Sequence, residues 1–221
     1  MDRSALLLKL KNENIMANAI STIEKKYKEA FDALVAENVA RQRNPPASQD
    51  ISNRYYYISH LHHAEIILVE TIYIAQDCAL HVVTATHPLV EKLKAMVSAI
   101  GIIREKLSKA VEFVPVSSVL FLDESISPEW DILENKADIL DKKIDAAYAV
   151  TIVEDEQENV YCTDDAIESA AKVASVLPHC IVRLKSVFYH LGMAESRCDN
   201  SQEIAAIKSL VYKTASDVLA D

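Results

Sequence analysis

Two glycines in 221 residues leave this chain almost no positions where the backbone can turn cheaply through left-handed φ. Tight hairpins and phosphate-cradling loops need that conformation, as do most turns of all-β and α/β folds, so those classes lack their usual turn residue. The sequence therefore points to an all-α fold. Half of the residues are apolar and 25% are charged, the balance of a chain that buries a core instead of staying disordered. At this length the core needs no disulfide support. Cys78, Cys162, Cys180 and Cys198 lie far apart and read as free thiols of a reducing compartment. The apolar run near the start, Ala5 to Leu8, is too short for the core of a secretion signal. The longest, Ile66 to Ala75, is interrupted by Glu70 and Thr71 and is shorter than the roughly 18 to 20 residues of a membrane span. The expectation is a cytoplasmic protein without a membrane partner.

Apolar periodicity divides the chain into helices. From Ser4 to about Arg43, Met16, Ile20, Ile23, Tyr27, Ala30 and Leu34 repeat at steps of three and four, a heptad-like seam with no Gly or Pro to break it. Asn44, Pro45 and Pro46 stop this helix, and Asp50 is placed to cap a second one running to about Thr84. Pro88 suits the first position of a third helix, and Pro128 that of a fourth, whose Trp130, Leu133, Ala137, Leu140 and Ile144 form one face. The polar stretch Glu154 to Cys162 reads as a loop before a fifth helix capped by Thr163, bent or divided by Pro178 and closed by Gly192. Asn200 with Glu203 marks the start of a last helix. Residues 114–127 show no regular pattern and mark a possible subdivision of an otherwise single domain. The expected architecture is an elongated bundle of five to seven helices, opened by a long antiparallel hairpin, with the first seam also available for a homodimer.

The formal net charge of −10 is unevenly spread. Residues 113–168 carry 15 acidic and 3 basic groups, so the excess lies on the fourth helix and its flanks. Such a surface solubilises a protein, and it also suits a partner with a basic surface. Clustered Lys and Arg for duplex nucleic acid are missing. Within the acidic segment, Glu129, Asp131, Glu134 and Asp138 are the residues expected to meet a partner.

Several groups carry chemistry by type and spacing. His60 and His63, with His62 between them, lie one helical turn apart and offer two ligands to a metal, as do Cys78 and His81. His63, Glu70 and Asp77 recur every seven residues as a polar stripe on a largely apolar helix. Asp164, Asp165 and Glu168 match a pattern that holds magnesium on a diphosphate, and they are equally the first-turn acids that any helix dipole favours. Arg183 and His190 share a helix face, with six residues between them. Helical ribonucleases of the HEPN superfamily use an Arg and a His at four to six intervening residues, although the polar residue that often follows the Arg there is replaced here by Leu184. No glycine-flanked serine or marked thiolate suggests a covalent nucleophile. The expectation is thus a non-enzymatic protein–protein interaction module without a cofactor, binding through a helical face or the acidic segment. A helical-bundle enzyme, HEPN-like or metal-dependent, is the alternative.

Overall fold

A computed structural model describes residues 3–41, 48–82, 87–111, 128–197 and 201–220. Six helices account for nearly all of them: α1 Arg3–Arg41, α2 Ser48–His81, α3 Pro88–Ala110, α4 Pro128–Thr151, α5 Asp165–Glu195 and α6 Ser201–Val218. The all-α bundle follows from the periodicities above. The Asn44–Pro46 break, the 114–127 connector, the Asn200 cap and Cys198 lie outside the described residues.

Helices α2, α3, α6 and α5 close a ring, each packed on the next. α1 lies on the outside of α2, and α4 on the outside of α5. The chain thus repeats one plan, three successive helices in which the second packs on both others, and the two halves join through α2 with α5 and α3 with α6. One apolar core includes side chains from all six helices. The seam of α1 contributes Ile23, Tyr27 and Leu34 to that core, with Met16, Ile20 and Ala30 half-buried against it, so it is used on α2 within the same chain. α1 and α2 form the expected antiparallel hairpin, fastened by Arg54 to Glu37 at 2.7 Å.

Local chemistry explains the starts of the helices and corrects three of the expected boundaries. Pro88 begins α3 as expected, and the His87 ring accepts a hydrogen bond from the Leu89 N–H at 3.2 Å. α2 starts at Ser48, so Asp50 lies in its first turn and is not the residue before it. The cap of α5 is Asp164, whose carboxylate accepts the N–H groups of Ala166 and Ile167 at 2.9 and 3.2 Å. Thr163 instead donates its hydroxyl to the Thr151 carbonyl at 3.0 Å, tying the end of α4 to the start of α5. α5 also runs unbroken through Pro178 and past Gly192 to Glu195, with Ser196 as its C-cap. Core residues on both sides of Pro178, Ala174, Leu177 and Ile181 among them, hold the helix together where one backbone bond is lost.

Residues 152–162 form a short antiparallel hairpin instead of a loop: β1 Ile152–Glu154 pairs with β2 Val160–Cys162, Val153 opposite Tyr161. Asp155 organises its turn by accepting from the Gln157 and Asn159 N–H groups and the Asn159 amide. These bonds hold its carboxyl below the usual carboxylate range. Glu158 takes the left-handed position at φ 61°, where no glycine is available.

Gly101 is exposed in the middle of α3, where a Cβ would meet nothing within 4 Å. Gly101→Ala is therefore expected to stabilise the chain by about 0.5–1 kcal/mol, seen as a rise in thermal midpoint by circular dichroism.

Candidate functional site: a histidine seam and an unpaired helix face

Two rows of polar residues face each other between α2 and α5. Seven residues return a helix to nearly the same face, so His63 and Glu70 share one line on α2, as do Arg183 and His190 on α5. The two helices run antiparallel, and the lines meet. Arg183 Nη1 donates to Glu70 Oε2 at 2.5 Å. One heptad along, the His63 and His190 rings stack at 14° with centroids 5.3 Å apart. One heptad further, the Arg197 guanidinium lies 4.8 Å from the centre of the Tyr56 ring. Each step moves seven residues down α2 and seven up the chain of α5, the last landing on Arg197 in the turn just past the helix end.

His60, one turn from both Tyr56 and His63, completes the cluster. Its Nδ1 lies 3.0 Å from Nδ1 of His190, so one ring donates and the other accepts. His63 Nδ1 donates to the Ser59 carbonyl at 2.7 Å. Burial, then His60 and His63, push His190 down to about 4. His60 is lowered by burial, by Arg197 and by His63. The His60–His190 pair is therefore neutral at pH 7. His62 turns to the other side of α2, its ring tilted at 37° to that of Tyr27 of α1 with centroids 4.8 Å apart.

That other side holds a separate, structural ion cluster. Glu65, only 2% exposed, pairs with Lys26 of α1 and lies 3.8 Å from Nε of Arg104 on α3. Lys26 also donates to Ser108 Oγ at 3.0 Å, so three helices share these charges. Burial and the Glu65 carboxylate raise the Tyr27 phenol far above its ordinary range.

The remaining sequence candidates are dispersed. Arg183 and His190 are not brought together: two turns separate them, and Arg183 is engaged by Glu70. The arginine acting on the cluster is Arg197, which was legible only as the next seven-residue step after Arg183 and His190. Asp164 is spent as a cap, Asp165 is exposed beside it, and Glu168 pairs with Lys172 at 2.6 Å. Cys78 donates to the Lys172 carbonyl and His81 to the Asp77 carbonyl of its own helix. Burial pushes the Cys78 thiol up to about 11 and that of Cys180 to about 12, leaving both inert at neutral pH. Among the described residues no three His, Cys, Asp or Glu side chains are grouped to hold a metal ion.

α4 presents three faces. Trp130, Leu133 and Ala137 are buried against the bundle. Asp131, Glu134, Asp138, Asp141 and Asp145 form a second row at steps of three and four. Its first two acids already have a partner, since Lys185 of α5 reaches Asp131 and Glu134 at 3.0 Å each. Glu129 and Asp138 are exposed. The third face is apolar and open: Ile132, Ile139 at 65% and Val150 at 85% exposure share it, interspersed with Lys136 and Lys143, and Val160 and Tyr161 of the hairpin stand exposed nearby in sequence. No helix among the described residues is long and apolar enough to cross a membrane. In comparisons with protein-family models, curated proteins and solved structures, this chain matches none.

Proposed function

We propose that this chain is a protein–protein interaction module that docks a partner on the outer face of α4. The observation that supports it is the open apolar line Ile132, Ile139 and Val150, large side chains left in water on a helix that packs on the bundle through Trp130, Leu133 and Ala137 instead. Single exposed apolar residues are ordinary, whereas a row of them along one helix marks a surface that gains by being covered. Asp138 and Asp145 are exposed on the adjoining acidic face and suit basic groups of a partner there, while Lys136 and Lys143 stand within the apolar row itself. Asp131 and Glu134 contribute less than their sequence suggests, because Lys185 pairs with both and offsets one of their two charges within the chain.

Ile139→Asp with Val150→Asp tests the reading. Both positions are exposed, so the double variant is expected to melt within about 1 kcal/mol of the parent. Partners retained from lysate by the parent chain should be lost from it, and any self-association seen by light scattering should fall with them. Asp138→Asn with Asp145→Asn should weaken capture chiefly at low salt. Retention of the same partners by the Ile139→Asp, Val150→Asp chain sinks the proposal.

A further inference from the structure

We propose that His60, His63 and His190, with Arg197 beside them, bind an anion of the phosphate class. These residues lie in the α2–α5 seam, apart from the docking face of α4.

Access comes first. His63 is exposed and His60 and His190 are half-buried, with Tyr56 and Tyr189 also exposed beside them, so a small ligand reaches the imidazoles from solvent. Tyr189 packs edge-on against His190 with centroids 5.6 Å apart.

The charges favour an anion over a cation. Arg197 and the neighbouring histidines are the charges that act on His60 and His190. The acid in the same seam, Glu70, is held by Arg183. On α1 and the far side of α2, Glu24, Glu65 and Lys26 act on His62 instead. Glu195, near the end of α5, is paired with Lys208 of α6 at 2.8 Å. Among the described residues no three ligand-type side chains are grouped to hold a metal ion, whereas burial and then the Arg197 guanidinium beside it lower His60.

The hydrogen bonds leave room for protons. In the His60–His190 pair the donating ring keeps its lone pair on Nε2, and His63 donates its Nδ1–H to the Ser59 carbonyl, so its Nε2 is the atom left to face a ligand. The donating ring can take a proton at Nε2 without breaking the pair, while the accepting ring already carries its own proton there, so the pair gains one charge and its Nδ1–Nδ1 bond becomes charge-assisted. Without a ligand, burial and mutual repulsion oppose that proton. The folded value of His190 lies below the ordinary value of 6.5, so its neutral form contributes stability above pH 6.5 that is lost as pH falls toward about 4. A phosphate beside the rings reverses the balance, since an opposite charge within a few ångströms favours the protonated form. Binding then takes up protons and tightens as the solution becomes more acidic, until near pH 6 a phosphate ester itself begins to lose charge.

Calorimetric titration of the full chain with inorganic phosphate, at pH 6 and pH 8 and in two buffers of different ionisation heat, is the test. The expected result is saturable one-to-one binding, at least about tenfold tighter at pH 6, with net proton uptake given by the buffer comparison. His190→Gln and His60→Gln should each weaken it by about tenfold or more at pH 6 while retaining helical circular dichroism. His63→Ala, at an exposed position, keeps the test valid if either of those variants fails to fold. A nucleoside monophosphate in place of phosphate separates the ligand's sources. Tighter binding assigns the site to a nucleotide phosphate with its base on Tyr56 or Tyr189, and equal binding assigns it to the phosphate group alone. The proposal falls if no saturable heat appears at pH 6, if affinity is the same at both pH values, or if the histidine variants bind as the parent does. One equivalent of zinc held through His60 and His190 would overturn it equally.

Discussion

Trp130→Ala is expected to cost about 3–5 kcal/mol and to release α4 from the bundle before the rest unfolds. Trp130 is the chain's one tryptophan and is fully buried. Its ring meets Phe188 of α5 edge-on at 5.4 Å and Tyr212 of α6 at 5.5 Å, so a single side chain from α4 fills the angle between two helices of the ring. Little else of α4 is buried to the same degree: Leu133 and Ala137 complete its fully buried set, and the helix grows more exposed toward the hairpin. Removing the indole therefore takes away both the transfer energy of the largest anchor and two aromatic contacts, leaving a cavity that α5 and α6 cannot close without moving. For a chain of this size the loss is roughly 10 °C in thermal midpoint by circular dichroism. Faster amide exchange in α4 than in α5 would show the order of release, and Trp130→Phe, which keeps ring contacts, should lose much less. A Trp130→Ala chain that melts within 1 kcal/mol of the parent would show that α4 is held by Lys185 and the hairpin instead.

Lys26→Met is expected to cost about 3–5 kcal/mol, because it removes the closest counter-charge of a carboxylate that is only 2% exposed. Glu65 would be left with Arg104, 3.8 Å away and itself one-third exposed. The Met stem keeps most of the packing of the Lys chain, so the loss reads the uncompensated charge and not a cavity. Lys26→Met combined with Glu65→Leu should recover most of the stability, since an apolar pair in place of a buried ion pair is close to neutral while half of a pair is not. Equal melting of the single and double variants would place the cost in lost packing at Lys26.

The same contrast between one helix and its neighbour explains which features were legible in advance. The starts of α3 and α4 and the course of α1 follow from residues that act within a few positions, such as Pro88, Pro128 and the unbroken heptad steps of α1. Misjudged features depend on what packs against them. Pro178 would break an isolated helix, but α5 stands at the centre of the molecule against α2, α4 and α6, and burial outweighs one lost hydrogen bond. Gly192 would end an exposed helix, whereas here Leu191 and Ala194 carry the helix one turn further into the core. The hairpin at residues 152–162 was hidden because an Asp155–Asn159 hydrogen-bonded turn replaces the usual glycine.

The candidate sites divide in the same way. Spacing alone shows that His63, Glu70 and Asp77 form a line, that Arg183 and His190 form another, and that acids line α4, because helical periodicity is a property of one segment. It cannot show that the first two lines face each other, that Arg197 extends the second, or that Lys185 claims Asp131 and Glu134. Glycine scarcity and apolar periodicity by themselves determined an all-α bundle, since both act through backbone freedom and the burial of one face. Only the tertiary structure decided which faces became partners, because the antiparallel register of α2 on α5 is set by packing between residues more than a hundred positions apart.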